Sequence, residues 1–108
     1  MNDPDGLWAG ADGMTSVEYK TQFLLWSMLA APLIASNDIS IIDNTTLGLL
    51  SSTAVLRINQ DPLVASGTLI HWSGGMQTWA RTLAGGARAV LFWNRDGATA
   101  LPVAAVTW

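Results

Sequence analysis

The sequence has no cysteine, a single histidine (His71), and only 12% charged residues. Without cysteine there can be no disulfide framework and no thiol chemistry. One histidine with no carboxylate cluster around it is a poor ligand set, so no metal ion and no other cofactor is implied. His71 also lacks a serine or carboxylate at the spacing a catalytic triad would need. Positive charge is sparse as well: five Lys and Arg stand singly against eight Asp and Glu, for a net charge of −3. That balance argues against a nucleic-acid surface. Long apolar runs are missing too. The most apolar stretch, Phe23 to Ala35, is interrupted by Ser27 and Pro32. It falls short of the roughly 20 residues that cross a bilayer, and no basic start with an apolar segment precedes it. No repeat and no low-complexity tract occurs.

What remains is 108 residues, half of them apolar, which is one domain's worth of chain at most and too apolar for disorder. Six tryptophans favour a packed body, or else a surface that faces carbohydrate. Thr15-Ser16-Val17-Glu18 reads as a capping box before an apolar run, and predicts a helix from Ser16 to Ala30. Tyr19, Phe23, Trp26 and Ala30 recur at helical spacing, with Leu24, Leu25, Met28 and Leu29 widening the stripe, so most of the helix girth should be buried. Pro32 should stop it. Leu33-Ile34-Ala35 follows, bounded by Ser36-Asn37-Asp38, and has the form of a strand buried on both faces.

Asp43-Asn44-Thr45-Thr46 offers an N-cap for a short helix through Leu47, Leu49 and Leu50. Ser51-Ser52-Thr53 starts a further helical stretch through Ile58, stopped by Asp61-Pro62. Asn44 also heads an Asn-X-Thr triplet, the acceptor pattern for N-glycosylation. After Pro62 the pattern changes to short β-type runs: Thr68–Trp72, Gln77–Thr82, Ala87–Trp93 and Pro102–Val106. Gly74-Gly75, Gly85-Gly86 and Asn94–Gly97 separate them, as in an antiparallel meander. The glycine pairs open no helix and so do not read as phosphate cradles. Asn59-Gln60-Asp61-Pro62 reads as a buried polar knot at the junction.

Three segments in order carry a resemblance: "NDPDGL", "GMTSVEYKTQFLLWSMLAAPLIASNDI" and "VLRINQDPL". Together they resemble the back half of glycoside hydrolase family 27, the melibiase or α-galactosidase group. The resemblance implies an α/β fold, a partial (β/α)8 TIM barrel followed by antiparallel β-sandwich strands. Residues 1–63 would be the end of the catalytic barrel and 64–108 the start of the β domain. Asn2 to Leu7 would end barrel strand seven, and Leu33 to Ala35 would be strand eight. Both chain ends then read as cut. The implied activity is a retaining glycosidase that removes terminal α-linked galactose. Its alternatives are an α-N-acetylgalactosaminidase of the same family, or a non-catalytic glycan- or partner-binding α+β module. The implied partner is the α-galactoside, with no nucleic acid and no membrane. A homo-oligomeric whole enzyme and a secreted, lysosomal or vacuolar location would follow the family.

By the same resemblance Asp5 is a substrate-binding residue on the strand-end rim and Asp3 its structural support. Met1 stands where the family has tryptophan, and Gly6 where it has methionine or another apolar residue. Asp3 and Asp5 are not the reactive pair. In an extended segment they would stand about 6.6–6.8 Å apart but on one side, whereas a retaining enzyme flanks the scissile bond with its two carboxyls. The catalytic residues are expected upstream, and none is assigned here.

Overall fold

The computed structural model describes residues 3–101. The predicted strand at 102–106 lies outside them, as do Met1 and Asn2. Helix α1 spans Ser16–Met28, α2 Asn44–Leu50 and α3 Thr53–Asn59; strands β1 Thr68–Ser73, β2 Met76–Thr82 and β3 Arg88–Asn94 follow.

The first two helices begin at a capping side chain, whereas Ser52 makes no side-chain cap bond to α3. Thr15 Oγ1 accepts from the Glu18 N–H at 3.2 Å while Glu18 Oε2 accepts from the Thr15 N–H at 2.7 Å, the reciprocal box foreseen from sequence. Asp43 Oδ1 accepts from the Thr46 N–H at 2.7 Å and opens α2. That bond, with a smaller contribution from the Thr46 side chain, holds the Asp43 carboxyl below its usual pKa. A depressed folded-state pKa gives stability that is present above the ordinary carboxylate value and is lost as pH falls through the lowered one. The Thr46 amide resonance should therefore titrate with a midpoint below the ordinary carboxylate pKa. In Asp43→Ala that titration should vanish; its persistence would remove Asp43 as the cap.

The end of α1 departs from expectation. Helix geometry stops at Met28, two residues before Ala30, because Ala30 turns left-handed at φ 53°. The Ala31 N–H donates to Trp26 O at 3.0 Å and the Ala30 N–H to Ser27 O at 3.3 Å. This is a Schellman end with alanine where glycine is the unstrained choice. Nor is the helix buried over most of its girth: Phe23, Ser27 and Met28 are buried, Leu24, Leu25 and Trp26 are half-buried, and Val17 is exposed.

Leu33 to Ala35 is a second correction. Ala35 pairs with Leu7 in a parallel bridge, closed by Leu7 N–H to Ile34 O at 2.7 Å and Ser36 N–H to Leu7 O at 2.8 Å. Leu33 is only half-buried, however, and Ile34 is 64% exposed. Among the described residues the segment around Leu7 is its sole strand neighbour, so nothing encloses it. The chain exposes 6791 Å² in all, against about 5800 Å² expected for a compact monomer of this mass. Trp8, Ile39, Ile41 and Leu47 add to the uncovered apolar surface.

The sheet is the expected meander, order β1-β2-β3, antiparallel throughout. Gly74 at φ 57° makes the two-residue turn between β1 and β2, where a left-handed backbone suits glycine. A 3-10 turn at Ala84–Gly86 joins β2 to β3. The sheet packs on α1, and Gly67 stands at the seam: its N–H donates to Met28 O at 2.7 Å. A Cβ there would lie 2.7 Å from that same oxygen, so only glycine fits without displacement.

Candidate functional site

Asp5 has a left-handed backbone, φ 87°, a conformation aspartate adopts only at a cost. Two hydrogen bonds hold it. The Trp26 indole Nε1 donates to Asp5 O at 2.9 Å, and Asp5 Oδ1 accepts from the Gly6 N–H at 2.8 Å. The carboxylate is otherwise exposed. Because the backbone reverses there, the side chains of Asp3 and Asp5 do not follow the alternation of an extended strand. Asp3 is exposed, and among the described residues no hydrogen bond joins it to Asp5.

Gly6 brings this loop against the second segment. A Cβ on Gly6 would overlap the Ser36 hydroxyl and meet Ile34 O at 3.3 Å. Ser36 in turn donates its N–H to Leu7 O. The Asp3–Leu7 loop and the Ser36-Asn37-Asp38 turn therefore lie side by side, flanking the one parallel bridge. Asp5 precedes the paired residue Leu7, while Ser36 follows the paired residue Ala35. Asp38 makes a turn with Ser40, accepting from the Ser40 hydroxyl at 2.6 Å and the Ser40 N–H at 2.9 Å. The hydroxyl contact first, then the backbone one, lowers its pKa. Asn37 is different: both ends of its amide are buried without a hydrogen-bond partner among the described residues. Such an amide costs about 1–3 kcal/mol.

The remaining sequence candidates sit elsewhere. His71 is exposed on β1, opposite Thr78. Asn44 is exposed at the first turn of α2. The polar knot at 59–62 is buried only at Asn59, whose Nδ2 donates to Ala31 O at 2.8 Å; half-buried Asp61 accepts from the Leu63 and Ala84 N–H groups, and Gln60 and Pro62 are exposed. A shallow cleft of about 50 Å³ between α1 and β3 is lined by Thr21, Leu24, Leu91, Phe92 and Trp93 and holds no titratable group. No group of three or more metal-ligating side chains occurs among the described residues. None of their helices is long and apolar enough to cross a membrane.

Sequence reasoning treated Trp26 as core stripe and gave Arg81 no role. Trp26 is half-buried and uses its indole on Asp5. Arg81 is 1% exposed and reaches from β2 to α1, with NH1 donating to Ser27 O at 2.6 Å. A signal for the first lies in the tryptophan of the second quoted segment, which carries the family resemblance. The sequence held none for the second, because the contact spans 54 positions.

Comparison with known proteins agrees with the resemblance. The family model described as alpha galactosidase A matches residues 1–61. The protein named "Probable alpha-galactosidase" of Dictyostelium discoideum is 48% identical over 98 residues, covering 89% of this chain and 26% of that protein. The alpha-galactosidase of Cyamopsis tetragonoloba is 38% identical over 99 residues, covering 92% and 24%. The crystal structure of alpha-galactosidase I from Mortierella vinacea superposes with a TM-score of 0.83 at 33% identity, covering 86% of this chain and 23% of that one. The chain thus spans about a quarter of the length of the curated relatives it matches. With a family model over more than half its length and relatives of this similarity, the chain belongs to the α-galactosidase family of glycoside hydrolases, family 27.

Proposed function

We propose that residues 1–63 are the closing part of a (β/α)8 barrel and 64–108 the start of an antiparallel β domain, in an enzyme that removes terminal α-linked galactose with retention. In that enzyme one carboxylate attacks the anomeric carbon and a second, about 5–5.5 Å away, protonates the leaving oxygen and later activates water. Both belong to other parts of the enzyme. This chain supplies the edge of the sugar pocket, where the Asp5 carboxylate accepts hydrogen bonds from sugar hydroxyls and Asp3 supports the loop. The observation that carries the reading is Asp5 itself: an aspartate in the left-handed region, clamped by Trp26, with its carboxylate left open beside a parallel bridge that no further strand covers among the described residues. Strain of this kind concentrates at functional sites.

A segment exchange tests it. With this chain in place of the matching segment of the Cyamopsis tetragonoloba enzyme, the hybrid should hydrolyse a nitrophenyl α-galactoside. A folded hybrid that shows no turnover would refute the assignment.

Asn44 is proposed as an N-glycan acceptor, since its side chain is exposed and its triplet complete. Secreted from a eukaryotic host, the chain should lose mass on treatment with peptide N-glycosidase. Asn44→Gln should abolish that change, and a secreted chain of unmodified mass would refute the site.

A further inference from the structure

The last turn of α1 and the residues just after it hold three features that sequence-distant elements share. Trp26 donates its indole to Asp5 O. Ser27 O accepts from the guanidinium of Arg81 at 2.6 Å and from the N–H of left-handed Ala30 at 3.3 Å. Asn59, whose side chain holds Ala31 O, presents its own carbonyl to Arg81 NH2 at 3.5 Å. α1 carries no basic residue in its last turn, so the positive charge that suits a helix C-terminus arrives from the sheet.

Arg81 is a costly way to fill that space. Its guanidinium is buried and meets carbonyls, its Nε has no partner among the described residues, and Asp61 acts on it only through its charge. Taking a charge out of water is unfavourable, so a well-packed methionine would serve stability as well or better. What methionine cannot supply is direction, because two donors in a rigid fork fix where a carbonyl lies.

We propose that Arg81 is a positioning residue that sets the last turn of α1 from the sheet and, through Trp26 in that turn, holds the left-handed backbone of Asp5. Its consequence for catalysis rests on Asp5 being a substrate contact; its geometry does not.

Nuclear magnetic resonance of the 15N-labelled 108-residue chain reads the coupling. In Arg81→Met the resonances of the Trp26 indole and the Gly6 amide should shift, and both protons should exchange with water roughly tenfold faster or more, as loss of a charge-assisted bond allows. The Trp72 indole, bonded to Gly74 O within the β1–β2 turn, is the internal control and should stay within about twofold. Arg81→Lys, which keeps the charge but not the fork, should fall between. Unchanged Trp26 and Gly6 signals in a folded variant, or equal changes at all three sites, would overturn the proposal. Should neither variant fold, native-state exchange of the unaltered chain decides. Arg81, Trp26 and Gly6 protons opening as one unit distinct from Trp72 supports the coupling, and independent opening refutes it. In the segment-exchange hybrid, Arg81→Lys should raise KM more than it lowers kcat. Coupled resonances with an unmoved KM would leave the positioning intact and sink the role of Asp5 in binding sugar.

Discussion

Phe23→Ala should lower the melting temperature of the chain by about 15 °C or more. Phe23 is 1% exposed, and among the described residues it is the largest apolar side chain in a core whose other buried apolar members are Leu7, Ala9, Met28, Ala31, Met76 and Ala89. Truncating such a residue costs about 3–5 kcal/mol, from lost transfer energy and the cavity left behind. Domains of this size hold about 5–15 kcal/mol in total, and each kcal/mol moves the midpoint by about 4–8 °C. The effect is large here because the core is small: half the sequence is apolar, yet many of its large side chains remain at the surface. The same change at Val17, 71% exposed on the same helix, should move the midpoint by no more than about 2 °C. A melt that separates these two variants by less than about 5 °C would mean that the core is not centred on Phe23.

Asp5→Gly in the segment-exchange hybrid should cut kcat/KM by about 10²–10³-fold, the equivalent of one or two hydrogen bonds to a charged group. Glycine is the informative replacement because φ 87° costs it nothing, so the turn survives while the carboxylate goes. Asp5→Asn, which keeps the shape and tolerates the left-handed region, should lose less. If the glycine variant keeps full activity, the strained aspartate serves the turn alone. If it loses activity together with its cooperative melt, the carboxylate is structural. Only a folded, weakened enzyme fits a substrate contact.

Much of this fold was legible because its signals are local. Thr15 and Glu18 announce α1, Asp43 announces α2, and Asp61-Pro62 closes the helical part, each through bonds within a few positions. Glycine pairs mark the turns of the meander for the same reason. The end of α1 was not legible, since no residue near Ala30 is a glycine and a left-handed alanine persists only where other contacts impose it. Burial at Ile34 failed for a related cause. A wholly apolar run states what a strand requires, not whether its neighbours are present, and among the described residues one parallel bridge is all that pairs with it. At the candidate site the string around Asp5 could be read as a turn, and the motif resemblance singled out the residue. Its left-handed backbone and its hold by Trp26, 21 positions away, depend on tertiary packing. Arg81 is the extreme case: an arginine in a strand pattern looks like a solvated residue, and only the folded chain shows it buried against Ser27.

We propose a division of labour: this chain forms the edge of a galactoside pocket, and the two reactive carboxyls come from elsewhere. The most direct test is hydrolysis of a nitrophenyl α-galactoside by the purified, cooperatively folded 108-residue chain, beside the segment-exchange hybrid as a positive control. No release above the buffer rate is expected from the chain, and saturable release from the hybrid. Saturable release from the chain alone, abolished by changing Asp3 or Asp5, would place the reactive pair within these residues and contradict that division.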